Sequence, residues 1–169
     1  MLVPIDLKNR IIAATQGQIN AASALSSMGI AIATYILQNA EFLFVWTATN
    51  PKGDPDPKIK GTGKFISVVI TLSPSLANTP GVGVNFLANQ ITTGMRAAVY
   101  KLNPPWNTAS GVCSDIPPLT LSITGNSRDA AMLMMATQIC NWLTAYKPSI
   151  PDVGARGAFT GSGKVIMIT

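Results

Sequence analysis

A weak stripe of small and apolar residues recurs at steps of three and four from residue 5 to residue 39. It runs through Ile12, Thr15, Ile19, Ala22, Leu25, Gly29, Ile32 and Ile36, the spacing of one helix face. The Ala-rich body favours helix, Asp6 is placed to cap its start, and Gly17 and Gly29 are the points at which it would break. Residues 41–49, EFLFVWTAT, are aromatic and β-branched and predict a strand. NPKGDPDPKIKGTG, residues 50–63, holds three prolines and three glycines and predicts an irregular loop. KFISVVITL, residues 64–72, then alternates. Ile66, Val68, Ile70 and Leu72 fall on one face, and Phe65, Ser67, Val69 and Thr71 on the other. Two strands joined by that loop make a long β-hairpin.

SPSLANTPGVG reads as a connector to a second helix over 84–102, with Leu87, Ile91, Gly94, Ala98 and Leu102 on one face. An irregular segment follows at 103–118, then a short strand, LTLSI, at 119–123. A third helix runs from Ser127, its N-cap, to Tyr146, and a last strand lies near 158–169. The order α-β-β-α-β-α-β predicts an α+β fold, a small, mostly antiparallel sheet with a long β-hairpin, packed against about three helices. No internal repeat or domain boundary is visible, so residues 1–169 read as a single domain with an extended hairpin loop at 50–63.

Composition changes the picture in one respect. Only 11% of residues are charged, against about 25% in an ordinary soluble domain, while 47% are hydrophobic. Ser, Thr, Asn and Gln take the place of the missing charges. A surface poor in ions is easier to desolvate, and the cores of permanent interfaces are depleted in charge for that reason. The composition therefore points to a subunit of an assembly. The net charge of +5 is mild and its basic residues are scattered. That balance permits proximity to nucleic acid without marking a reader of bases.

Residues 11–40 carry no charge and follow Lys8 and Arg10, which superficially suits a membrane anchor or a signal peptide. Gln16, Gln18, Asn20, Ser23, Gln38 and Asn39 interrupt the stretch, and lipid would leave those groups dry. The expectation is a cytosolic history with no membrane partner. Cys113 and Cys140 lie far apart in sequence, and Cys140 sits in an apolar helical stretch where a reduced, buried thiol is expected.

Catalytic chemistry is hard to assemble from these residues. There is no histidine, which removes the usual general base and the commonest metal ligand. The acids Asp6, Glu41, Asp54, Asp56, Asp115, Asp129 and Asp152 are scattered. Asp54 and Asp56 sit among prolines and lysines in a solvated loop, with too few oxygen ligands for calcium. Asp129 opens a helix, where a carboxylate complements the dipole. Gly161-Ser162-Gly163-Lys164 imitates a phosphate loop, but Val165 stands where the magnesium-binding hydroxyl belongs and VIMIT favours a strand over the required helix. No catalytic residue, cofactor or metal is expected.

Two features remain as candidate contact sites. Lys52, Lys58, Lys60 and Lys64 leave the hairpin arm with a positive excess over Asp54 and Asp56. Such an arm can reach a neighbouring subunit or line a channel that passes nucleic acid, giving non-specific contact with DNA. The final strand, Val165, Ile166, Met167 and Ile168, can complete its own sheet or add to a neighbour's by β-augmentation.

The order of N-terminal helix, long hairpin, helix and closing strand resembles the tail-terminator and tail-completion proteins at the neck of tailed bacteriophages. The segments that carry the resemblance are EFLFVWTATN, KFISVVITLSPS, the helix at 84–102 and GKVIMIT. The resemblance is one of architecture. It implies a structural subunit of the virion that forms a homo-oligomeric ring with other virion proteins around a channel for DNA. A capsid or coat subunit is the nearest alternative. A small-molecule enzyme and a membrane-anchored protein are the alternatives of another class.

Overall fold

Gly17 adopts a left-handed backbone, φ 74°, and there the expected long helix becomes two. The computed structural model describes residues 1–49, 59–75, 82–103, 109–124, 126–148 and 160–169. Helix α1 spans Pro4–Thr15 and α2 spans Ala21–Asn39. Proline in the first turn of α1 needs no N–H partner. The N-cap is Val3 without a side-chain bond, and Asp6 lies inside the first turn, not at the cap. Asn20 caps α2 by accepting from the Ser23 N–H at 2.8 Å. The break rephases the apolar stripe. Leu7 and Ile11 are buried on α1, and Met28, Ile32, Tyr35 and Ile36 on α2, while Ile19 between them is exposed. The two helices run antiparallel, because Tyr35 Oη accepts from the Val3 N–H at 2.5 Å and donates to the Val3 carbonyl at 2.9 Å.

Among the described residues five strands form one antiparallel sheet in the order β4-β3-β2-β1-β5. They are β1 (Glu41–Thr49), β2 (Ile59–Ser67), β3 (Val99–Asn103), β4 (Ala109–Val112) and β5 (Thr160–Ile168). The expected α+β class therefore holds, with four helices among the described residues: α3 is Val82–Arg96 and α4 is Arg128–Ala145. The first nine residues of the expected 50–63 loop, 50–58, lie outside the described residues, but 59–63 belong to β2 despite their glycines. Gly63 is needed there: a Cβ would stand 2.6 Å from the Lys101 carbonyl oxygen. The second helix stops at Arg96, earlier than its periodicity suggests, and Val99–Asn103 enter the sheet. Tyr100 and Leu102 are buried, and the Tyr100 ring packs on Phe42 with centroids 4.8 Å apart. That aromatic packing outweighs local helical spacing.

A bulge explains why the alternation of residues 64–72 changes meaning midway. The β2–β3 register skips Ile66, between Phe65 and Ser67. Phe65 is buried on one side of the bulge and Val68, Ile70 and Leu72 on the other, while Ile66 itself is exposed. Past Ser67 the chain leaves the sheet and stays extended.

Residues 68–73 and 117–122 are two such extended segments, and both lie between helices. A Cβ at Gly29 of α2 would meet the Ile70 carbonyl oxygen at 2.4 Å, and one at Gly94 of α3 would meet the Val69 carbonyl oxygen at 2.5 Å. The first segment is thus clamped between α2 and α3. The second lies between α3 and α4. The Leu119 N–H donates to Thr92 Oγ1 at 2.9 Å and Trp142 Nε1 donates to the Pro117 carbonyl at 2.9 Å. LTLSI is extended as expected but does not join the sheet. Helix side chains take the place of its strand neighbour.

The two segments are counterparts. Ile70-Thr71-Leu72-Ser73 and Leu119-Thr120-Leu121-Ser122 each bury both aliphatics and expose the threonine. The Ser73 N–H donates to Gln90 Oε1 of α3 at 3.1 Å, and the Ser122 N–H donates to Gln138 Oε1 of α4 at 2.7 Å. Each segment follows a hairpin, β1–β2 or β3–β4, and precedes the helix that supplies its glutamine. The fold contains a repeated strand–strand–extended–helix unit, although no internal repeat is visible along the chain. Helix α1 packs on both α2 and α4 and closes the helical layer. Lys8 Nζ binds Asp129 Oδ1 at 2.8 Å, and Arg128 donates to Thr15 Oγ1 at 2.6 Å. Asp129, expected as a dipole partner at the α4 start, therefore also neutralises a largely buried lysine.

Candidate functional site: two uncovered faces

The helices cover one face of the sheet, where Phe42, Phe65, Tyr100, Leu102 and Ile168 are buried. Register identifies what occupies the other. Residues directly opposite in an antiparallel pair share a face. One cross-strand row on the open face is Glu41, Lys64, Lys101 and Ser110. Leu43, Val45 and Thr62 lie on the same face. Thr62, Lys64, Lys101 and Ser110 are exposed. Among the described side chains, Lys64 and Lys101 thus meet one carboxylate, Glu41, on a face that no described helix covers.

Of the arm lysines marked out by sequence, Lys52 and Lys58 lie outside the described residues, and Lys60 and Lys64 belong to β2. The structure adds Lys101, which sequence placed in a helix, and Lys164, which sequence noted only as part of a false phosphate loop. Pairing alone could have revealed them. Gly161, Gly163 and Lys164 sit inside β5, opposite Ala48, Trp46 and Val45 of β1. The terminal strand positions Val165, Met167 and Ile168 pair with β1 of the same chain, and Ile166 is skipped at a bulge. β5 therefore completes its own sheet and forms its edge.

The second uncovered face lies on the helical side. Val69 faces out from the clamped segment at 68% exposure, with Ile30 of α2 at 63% and Phe86 of α3 at 38% beside it. A groove of about 480 Å³ runs between the segment and α3, walled by Val69, Thr71, Phe86, Asn89, Gln90 and Thr93. A smaller one opens on the α2 side of Val69, toward Ile30, Thr34 and Leu37. Among the described residues neither is lined by an Asp, Glu, Lys or Arg. The extended pattern hid this face from sequence, because Val69 reads as the second side of a paired strand. Helix α2 is also apolar and long enough to cross a membrane, with mean hydropathy 1.3 and a third of it buried in the fold.

A third cluster is internal. The Tyr146 hydroxyl donates to Asp115 Oδ1 and neighbours the Cys113 thiol. Burial pushes Cys113 up to about 12, Tyr100 up to about 12 and Cys140 up to about 11. Burial, joined by the Asp115 bond, lifts Tyr146 well above the ordinary phenol range. Both cysteines are free and buried. Such thiols stay neutral at physiological pH and make poor nucleophiles. The cluster fixes the turn at 113–116 beneath the end of α4. Among the described residues no group of three or more His, Cys, Asp or Glu could hold a metal ion.

Compared with known proteins, the chain matches no family model, no curated protein and no solved structure.

Proposed function

We propose that this protein is a structural subunit that associates with copies of itself, most simply as a ring at the neck or tail of a virus particle. The observation that carries the reading is the helical-side face. Ile30, Val69 and Phe86 stand exposed around two adjoining grooves whose described lining residues carry no charge. Water gains by leaving such a face, and no ion has to be stripped of its hydration when a sister molecule covers it. The low charge of the whole chain, 11%, supports the same conclusion. The virion setting and the ring rest on the architectural resemblance to tail-terminator and tail-completion proteins. A capsid or coat subunit would use the same physics in another geometry.

Light scattering after size exclusion tests the association, and electron microscopy of the purified protein tests the ring. Discrete closed oligomers are expected. Val69→Asp and Ile30→Asp, both at exposed positions, should yield folded monomers. A wild-type chain that stays monomeric at high concentration in dilute salt sinks the proposal.

A further inference from the structure

Ile19 buries almost nothing in this fold. It is 93% exposed, at the end of the turn that joins α1 to α2. The turn is held at both ends. Arg128 of α4 donates to Thr15 Oγ1 at 2.6 Å on the α1 side, Gly17 takes the left-handed bend, and Asn20 caps α2 by accepting from the Ser23 N–H. A β-branched side chain has little χ1 freedom of its own. Ile19 is therefore an apolar knob on a fixed tip, with little left to order when something covers it. Around it stand Gln16, Gln18 and Asn20, all exposed and all neutral.

The groove beside Val69 has the complementary make-up. Its described walls are apolar at Val69, Phe86 and Ala97 and neutral polar at Thr71, Asn89 and Thr93, and Gly94 adds no side chain to them. At about 480 Å³ it has room for an aliphatic side chain and the amides beside it. We infer that this groove receives the α1–α2 turn of a second copy of the chain, with Ile19 as the anchor. The inference rests on the self-association proposed above and names the part of the sister molecule that enters.

Three features select that occupant. Knob and groove are both uncharged, since residues 11–40 hold no Asp, Glu, Lys or Arg, so no ion loses its hydration on contact. An aliphatic anchor ringed by neutral amides matches the buried centre and polar rim of protein interfaces. Finally, the turn cannot reach its own groove. Gly29, where α2 meets the segment that walls the groove, lies about 12 Å along the helix from Ala21, and Ile19 projects beyond that end. A tip-to-groove contact is accordingly intermolecular and joins two different surfaces. Each copy then still offers one free tip and one free groove, so the contacts repeat until a ring closes. A face that paired with itself would stop at two.

The test is light scattering after size exclusion on variants, alone and mixed. Ile19→Asp should be a folded monomer, Ile19→Ala should weaken association about 30-fold, and Ile19→Leu should assemble. Thermal melts check folding, which the exposure of Ile19 leaves independent of its side chain. Mixing Ile19→Asp with Val69→Asp should give a 1:1 heterodimer and nothing larger, because one variant keeps its groove and the other its tip. If Ile19→Asp assembles like wild type while Val69→Asp is monomeric, the association stands and this occupant is wrong. The inference is overturned equally if the two variants stay monomeric when mixed. A monomeric wild-type chain removes the association itself.

Discussion

Replacing Gly29 by alanine puts the clamped segment to a direct test. In an ordinary helix interior the change gains about 0.5–1 kcal/mol, because alanine loses less backbone freedom on folding. Here the new Cβ would lie 2.4 Å from the Ile70 carbonyl oxygen and 3.2 Å from Leu72 Cγ. The first neighbour is backbone and cannot rotate away, so α2 or the segment must move. Overpacking of that kind costs about 1–3 kcal/mol, which outweighs the helical gain. Gly29→Ala should therefore lose about 1–2 kcal/mol in urea melts and a few degrees of Tm. Gly83→Ala in the first turn of α3 has nothing within 4 Å of its Cβ and should be neutral or stabilising. Gly94→Ala presses on the Val69 carbonyl from α3, 2.5 Å away. A segment that retreats from one helix moves into the other, so the double variant should cost more than the sum of the singles. If Gly29→Ala proves as stable as wild type, or the double variant is additive, residues 68–73 do not lie between two helices as described.

Thr92→Val removes the acceptor for the buried Leu119 N–H while keeping shape. It should cost about 1–3 kcal/mol, read by urea melts, with faster hydrogen exchange at Leu119. Gln138→Ala should speed exchange at Ser122 while costing only about 0.5–1.5 kcal/mol, because its bonds to Ser122 are at the surface. Lys101→Glu turns a repulsive cross-strand pair with Lys64 into an attractive one and should raise stability by a few tenths of a kcal/mol, read by urea melts. Stability should fall as pH rises above about 9. The unfolded chain releases its thiol protons near the ordinary value of 9.0, whereas folded Cys113 and Cys140 hold theirs to about 12 and 11. The unfolded state then binds fewer protons, giving a decline of up to about 1.4 kcal/mol per pH unit per thiol. Chemical denaturation between pH 8 and pH 10.5 measures it, and a flat profile would contradict the burial of both thiols.

How far the fold could be read from residues depended on whether the deciding interaction was local. Ser127 at the α4 start and the β1 run are written in propensities and caps, and of the two glycines at which the first helix could break, Gly17 breaks it while α2 continues through Gly29. The end of α3 is not local. Leu102 continues a helical spacing in sequence, yet it lies in β3 because β2 and the Phe42–Tyr100 contact claim it. The lysine face is less legible still. Lys64 and Lys101 look unrelated along the chain, and the β2–β3 pairing sets them opposite each other. The repeated extended segments escaped notice for a related reason. Their likeness is four residues, Ile70-Thr71-Leu72-Ser73 against Leu119-Thr120-Leu121-Ser122, and their meaning lies in glutamines sixteen or seventeen positions downstream. A helix glutamine that serves a strand-like backbone frees that backbone from needing a sheet neighbour. It lets α2, α3 and α4 stand apart with extended chain between them, and it turns Val69 outward. The same substitution of side chain for strand that hides the repeat thus creates the uncharged groove on which the proposed association depends.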